Sequence, residues 1–234
     1  MKPKVIQAGL KYKPDDGVDI TPERRKVLER IVPGARILEV GSHGGHFSKV
    51  LLERGCQLTV VEIDSEAASL VSGLVPDVIV GDIEDDKVLD QLQGREYDFI
   101  LFMHVLEHLV DPWRVLNKCR NLLHPHGALI ALLPNVGSWR IRKHLFFRGT
   151  FEYTDVGILD RTHLRFFTLD SGKELFNASG YSVVDLEVLD TSVPLEVRLR
   201  SLFGSWISRT WHRWMTCRYP NLCADIVYFE ARPQ

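Results

Sequence analysis

Ile37-Leu38-Glu39-Val40-Gly41-Ser42-His43-Gly44-Gly45-His46-Phe47 is an aliphatic run ending near an acid, then a glycine-rich turn, then a helix start that continues through Lys49-Val50-Leu51-Leu52-Glu53. Strand, glycine turn and helix in that order open a nucleotide-binding α/β sheet. The glycines let backbone approach a ligand closely, and the first helical turn offers unpaired N–H groups. Such turns are common, so their meaning depends on the residues around them.

Working outward, residues 1–20 carry Pro3, Gly9, Pro14 and Gly17 and read as an irregular arm. Thr21-Pro22-Glu23 opens a helix, with an N-cap and Pro at the first helical position, and Pro33-Gly34 ends it. After the strand at 36–40 and a helix over 45–54, the segments 57–64, 77–82, 97–103 and 126–134 read as further strands. Helices over 65–73, 86–93 and 111–123 separate them. Tyr97–Met103 is almost continuously apolar, as a central strand covered on both faces must be. Five strands alternating with helices predict a parallel, doubly wound, Rossmann-like sheet, because parallel neighbours need crossover helices.

Beyond Pro134 the pattern changes. Residues 136–168 are aromatic and basic without a clean period, carrying six Lys or Arg against three acids. A helix over 170–179 and strands over 181–189 and 224–231 follow. Between those strands Leu195, Leu199, Leu202, Phe203, Trp206 and Ile207 recur at helical spacing, predicting an amphipathic helix extended by Trp211 and Trp214. The expected organisation is an arm over 1–20 and a single domain over 21–234. That domain has a core over 36–134, an insert after strand five over 136–168 and a helical insert over 195–218.

Composition sets outer bounds. The chain has 234 residues, 45% hydrophobic, enough for one substantial core. With 29 basic and 31 acidic residues it is near neutral, so nothing global points to nucleic acid. Cys56, Cys119, Cys217 and Cys223 have no metal-like spacing, and no run reaches the roughly 18 apolar residues of a bilayer span. With no signal-peptide core either, a reduced cytoplasmic chain is expected. Residues 196–218 hold three of the five tryptophans and five arginines against Glu196 alone, which suits a membrane-surface helix. Packing on the sheet, or a lid, is the preferred reading of that segment.

Three acids stand at the carboxyl ends of the first three strands: Glu39, Glu62 and Asp82, spaced by 23 and 20 residues. Ligands of a doubly wound sheet sit at that edge, so the three carboxylates are expected at one crevice. An acid after the second strand can accept from a ribose diol, and one after the third from an adenine amino group.

With these residues in place, the sequence resembles the class I S-adenosylmethionine-dependent methyltransferases. Glu39, Gly41 and Gly45 match the family's acid-x-Gly-x-Gly-x-Gly turn, and His43 replaces the middle glycine. The likeness continues through Glu62-Ile63-Asp64, Gly81-Asp82-Ile83 and HVLEHLVDPWRVLNKCRNLLHPHG (104–127). DRTHLRFFT (160–168) looks like a subgroup that includes ubiquinone-biosynthesis-like and natural-product O-methyltransferases. The resemblance implies seven strands with the last antiparallel, S-adenosylmethionine as cofactor, and a small-molecule acceptor, glycan-like, aromatic or anionic. The cofactor set it implies is Glu39, Gly41, Ser42, His43, Gly45, Glu62, Ile63, Asp82, Ile83, Met103 and His104, with Ile63 and Ile83 flanking the adenine or simply serving the core.

A side chain at His43 would obstruct a pyrophosphate lying against the turn, which disfavours a dinucleotide. S-adenosylmethionine carries an amino-acid tail instead, and His43 either lies near its carboxylate or only tolerates a positive φ. Hydroxyl methylation calls for a base, and His108 after strand four and His163 in the insert are the two candidates. Arg161, His163 and Arg165 alternate, so an extended chain would turn both arginines to an anionic acceptor; alternatively they pair with Asp155 and Asp160. His104-Val105-Leu106-Glu107-His108 has the H-x-x-E-H form of some zinc peptidases, but it follows a sheet strand, and no metal ligand set is assigned. Some quinone O-methyltransferases that the sequence resembles carry acids and a His in this stretch and use a divalent ion, which leaves a Mg²⁺ role open. A nicotinamide-dependent oxidoreductase and a non-catalytic S-adenosylmethionine-binding module are the competing readings.

Overall fold

The computed structural model describes residues 20–234, so all but the last residue of the expected arm over 1–20 lies outside the described residues. The chain runs α1 (Pro22–Arg30), β1 (Arg36–Val40), α2 (His46–Glu53), β2 (Gln57–Glu62), α3 (Ser65–Ser72), β3 (Asp77–Val80), α4 (Asp86–Leu92) and β4 (Tyr97–Met103). A 3₁₀ turn at Leu106–His108 then leads to α5 (Pro112–Cys119) and β5 (Leu123–Pro134). After these come α6 (Trp139–Arg148), α7 (Leu169–Ala178), β6 (Tyr181–Thr191), α8 (Glu196–Arg218), α9 (Pro220–Cys223) and β7 (Ala224–Pro233).

The seven strands form one sheet in the order β3-β2-β1-β4-β5-β7-β6. The first five run parallel, and β7 is antiparallel to both β5 and β6. This is the Rossmann-like, mostly parallel sheet that the sequence predicts. The order reverses between β1 and β4, which leaves a crevice at their carboxyl ends. β1 is buried at four of its five residues, and Ile100, Leu101 and Phe102 of β4 are fully buried, because helices cover both faces. One core carries Leu38, Ile100, Phe102, Leu129, Phe176 and Phe229; the other, under α1 and α2, carries Val27, Ile37, Phe47, Leu101, Ile130 and Tyr228.

Local chemistry sets the helix ends. Asp64, Asp85, Asp111 and Ser138 each accept a backbone N–H from the first turn of α3, α4, α5 and α6, and Thr168 forms a capping box with Ser171 at α7. Across the sheet, Arg30 of α1 donates two bonds, at 2.5 and 2.6 Å, to the buried carboxylate of Glu230 on β7.

Two expectations are corrected. The aperiodic insert contains a regular helix, α6, none of whose side chains is buried. Its apolar residues do not repeat toward a core face, so periodicity could not reveal it. The amphipathic stripe expected at 195–207 does not pack on the sheet: Leu195 stands before α8 at φ 63°, Gly204 breaks the helix at φ 81°, and Leu202, Phe203 and Trp206 are exposed. The kink divides the stripe, and the buried side chains of α8 are Ser208 and Met215.

Candidate active site

The glycine turn sits between β1 and α2 with an unusual run of backbone geometry. Gly41, His43, Gly44 and Gly45 all have positive φ, at 75°, 53°, 108° and 80°. A Cβ on Gly41 would lie 2.7 Å from Cγ2 of Val105, so the turn and the segment after β4 touch only because this residue has no side chain. His43, at φ 53°, occupies the left-handed region as a non-glycine, and its backbone N–H donates to Glu62 Oε2 at 2.9 Å.

Glu39 and Glu62 stand side by side at this edge, both buried. Ser48 of α2 donates to Glu39 Oε2 at 2.5 Å, while Oε1 has no partner. Burial pushes the Glu39 carboxyl up to about 7, against the pull of Ser48 and of Arg24 on α1. Both oxygens of the Glu62 carboxylate are engaged: Oε2 accepts from Ser42 Oγ at 3.2 Å and from the His43 N–H of the turn, and Oε1 from the Asp64 N–H at 3.2 Å. Asp82 follows β3 half-buried and accepts from the Glu84 N–H at 2.8 Å. Ile63 and Ile83 part company: Ile83 belongs to the core, while Ile63 is 54% exposed at the edge.

β4 ends in Met103, half-buried, and His104, whose φ of 58° turns the chain sharply. The 3₁₀ turn that follows delivers Glu107, which is fully buried with neither carboxylate oxygen hydrogen-bonded. A buried acid without partners needs a compensating group, and three imidazoles surround it. His104 Nδ1 approaches Glu107 Oε1 at 3.5 Å and His163 Nε2 at 4.0 Å, while the rings of His108 and His163 meet edge-to-face at 4.8 Å. The His108 Nδ1 lies 3.2 Å from the Thr162 carbonyl and the His163 Nδ1 3.0 Å from the Ile158 carbonyl. A carbonyl only accepts, so both Nδ1 atoms carry a proton, and in the neutral form of either ring the lone pair lies on Nε2. Burial holds His163 below its ordinary value, with Glu107 offsetting part of the shift. Burial also pulls His104 down, but its contact with Glu107 outweighs this and leaves it raised.

The insert reaches this point through its backbone, since the N–H groups of Leu164 and Arg165 both donate to the Glu107 carbonyl, at 2.8 and 3.0 Å. Thus the two sequence candidates for the base, His108 and His163, are neighbours. Arg161, His163 and Arg165 do not share a face. The segment turns at Asp160, whose Oδ1 accepts from both the N–H and the hydroxyl of Thr162, so strand alternation does not apply. Arg161 pairs with Asp155 at 2.8 Å on the surface, and Arg165 donates to the Val110 carbonyl and lies over the Trp113 ring. Beside His163 stands an aromatic group of Phe151, Tyr153 and Phe166, with ring centroids 5.7 to 6.3 Å apart.

Sequence reasoning omitted Glu107, Ser48 and Arg24 from the site. Glu107 was visible as the acid of H-x-x-E-H; Ser48 and Arg24 carry no motif, and only folding brings them near Glu39.

Residues 16–186 match a family model described as a methyltransferase domain. The chain belongs to this family. The methyltransferase is 31% identical over 171 residues to the ubiquinone biosynthesis O-methyltransferase of Xanthomonas axonopodis pv. citri, covering 66% of this chain and 69% of that protein. It is 31% identical over 154 residues to the protein of the same name from Xylella fastidiosa, covering 58% of this chain and 61% of that one, so it spans about two thirds of the length of these relatives. A solved S-adenosylmethionine-dependent methyltransferase from Archaeoglobus fulgidus superposes with a TM-score of 0.65 at 16% identity, over 89% of this chain and 90% of that one, a likeness of fold. The chain is an S-adenosylmethionine-dependent methyltransferase.

Proposed function

We propose that this methyltransferase O-methylates a small aromatic acceptor, with Nε2 of His108 or His163 taking the hydroxyl proton. The observation that carries this is the meeting of the two imidazoles, each anchored to a backbone carbonyl through Nδ1 so that Nε2 is left for proton transfer, beside the unpaired carboxylate of Glu107. Bound S-adenosylmethionine would supply the methyl, and Nε2 would take the hydroxyl proton as the acceptor oxygen attacks in line, leaving S-adenosylhomocysteine and a methyl ether. Alignment supplies most of the acceleration, up to about 7–11 kcal/mol, and the base adds roughly 10²–10⁴-fold.

On the donor side, Glu39 Oε1 lacks a partner and suits the cofactor's ammonium group. Arg24, whose charge reaches both Glu39 and His104, suits the cofactor's carboxylate. Ile63, exposed beside Glu62, suits one face of the adenine, and Asp82 its amino group. Gly41, Ser42, His43 and Gly45 form the floor, with Met103 and His104 beside the reacting methyl. For the acceptor, the Phe151, Tyr153 and Phe166 group favours a planar ring, in keeping with the O-methyltransferase names of the relatives. An anionic acceptor has weaker support, because the guanidiniums of Arg161 and Arg165 are both engaged within the chain. A cytoplasmic setting agrees with cysteines that are all free.

The deciding experiment measures S-adenosylhomocysteine release with dihydroxybenzene acceptors for wild type, His108→Gln and His163→Gln. We expect one variant to lose about 10²–10⁴-fold in kcat with cofactor affinity unchanged. Wild-type kcat retained in both would refute a histidine base.

A second reading is favoured by the same cluster. One ligand atom each from Glu107, His108 and His163 lies within 4.8 Å of the others, and two imidazole nitrogens with one carboxylate suit a divalent ion. Glu107, with both oxygens orphaned, fits such a role. Mg²⁺ or Mn²⁺ held there would acidify an acceptor hydroxyl. Calorimetric titration of Mn²⁺ into wild type and Glu107→Gln separates the two readings: saturable binding lost in the variant supports the ion, and no binding to wild type excludes it.

A further inference from the structure

The most uneven charge in the chain lies on two helices that the methyl-transfer site does not use. α6 and α8 hold nine of the 29 Lys and Arg but only one of the 31 acids, a net charge of +8, which leaves −10 on all remaining residues. That one acid, Glu196, is bonded to His212 at 3.0 Å, and all five arginines of α8 are exposed. The same helices present large apolar side chains to solvent: Phe146 and Phe147 on α6 are 82% and 71% exposed, and Leu202, Phe203 and Trp206 on α8 are 59–72% exposed.

Both helices rise from the carboxyl edge of the sheet, α6 after β5 and α8 between the end of β6 and the start of β7. The segments that flank them are tied together there. Asn135 Nδ2 donates to the Asn221 carbonyl at 2.8 Å, and Arg140 of α6 pairs with Asp225 of β7 at 3.5 Å. The result is a basic, aromatic rim along the edge where the donor crevice opens.

We propose that this rim docks on an anionic lipid bilayer, with the phenylalanines, Leu202 and Trp206 entering the headgroup boundary and the arginines pairing with lipid phosphates. The chemistry of both components is then satisfied by one surface: apolar tips leave water while guanidiniums keep a polar, negatively charged environment. A second copy of the chain fits poorly, because an isologous contact would set a net +8 against another +8. A nucleic acid would meet the arginines but leave Phe146, Phe147 and Leu202 in water. Membrane contact would place the crevice mouth close to the headgroups. The proposal stands apart from the reading of the acceptor and base, since docking needs neither.

The test floats the full chain with vesicles of phosphatidylcholine alone and of phosphatidylcholine with about one third phosphatidylglycerol. We expect flotation with the anionic vesicles only, reversed by high salt. Arg198→Glu and Arg200→Glu should each lower the partition coefficient roughly fivefold or more. The pairs Phe146→Ser/Phe147→Ser and Phe203→Ser/Trp206→Ser should abolish flotation. S-adenosylhomocysteine affinity, measured by calorimetry, should stay at the wild-type value in all of them, which separates loss of docking from loss of fold. If a variant loses that affinity, the contrast between the two vesicles for wild type decides alone. Three results would overturn the proposal: no flotation of wild type with anionic vesicles, equal flotation with both, or a solution dimer that the serine pairs dissociate.

Discussion

Glu39 and Glu107 are two buried carboxylates at one edge of the sheet, and they differ in what surrounds them. Glu39 has one oxygen on Ser48 and one free, and burial raises its carboxyl from 4.5 to about 7. The folded protein therefore binds this proton more tightly than the unfolded chain does. Stability is untouched below about pH 4.5, falls as pH rises toward 7, and the loss is complete above it, at about 3 kcal/mol for a shift of this size. Glu39→Gln should remove that loss, so apo Glu39→Gln should melt higher than wild type at pH 8 and nearly level with it at pH 4.5, while binding S-adenosylhomocysteine at least tenfold more weakly. Thermal melts at the two pH values and calorimetry check both halves. At Glu107 the charge acts on its neighbours. In Glu107→Gln, the imidazoles of His104 and His163 both lose an acid that favours their protonated form, so both should titrate at lower pH by NMR. Unmoved titrations would mean that the acid does not face them.

At the scale of elements, the turn after β1 and the segment after β4 are fitted to each other. Gly41→Ala adds a Cβ 2.7 Å from Val105 at a φ of 75° and should cost about 2–4 kcal/mol, from backbone strain and overlap together. Adding Val105→Ala should relieve the overlap and leave the strain, a coupling that denaturant melts of the double-mutant cycle would read. The turn itself was legible in the sequence, because glycines, a short strand and an acid are local signals. The insert was only half legible. Its basic and aromatic character marked it as different, but α6 buries no side chain and so offers no periodic stripe, and strand alternation failed at 161–165 because Asp160 turns the chain. The stripe of α8 was read correctly as helical, but the packing on the sheet preferred for it is not found.

Across the whole molecule, α1 is locked to the far half of the sheet by the Arg30–Glu230 pair, joined by Tyr228, whose hydroxyl donates to Glu230 at 3.3 Å. Glu230 is fully buried, but Arg30 opens to solvent on one side and Arg232 lies 3.7 Å from Glu230 Oε1, so Arg30→Met leaves the charge partly paired and should cost about 1–2 kcal/mol, below the range of a fully buried pair that loses one partner. Replacing Arg30 and Glu230 together by Met and Leu should recover much of that stability in a thermal melt. This pair joins residues 200 apart, and nothing in either local sequence announces it. The sequence by itself determined the parallel sheet, the placing of Glu39, Glu62 and Asp82 at its carboxyl edge, and the cofactor class, because strand and helix periods, turn glycines and strand-end acids are written within a few residues of one another. Only the tertiary structure decided that His108 and His163 share Glu107, that Arg165 is spent on Val110 and Trp113, and that the apolar face of α8 stays open. Those are contacts between segments far apart in the chain, fixed by how the insert folds back onto the end of β4.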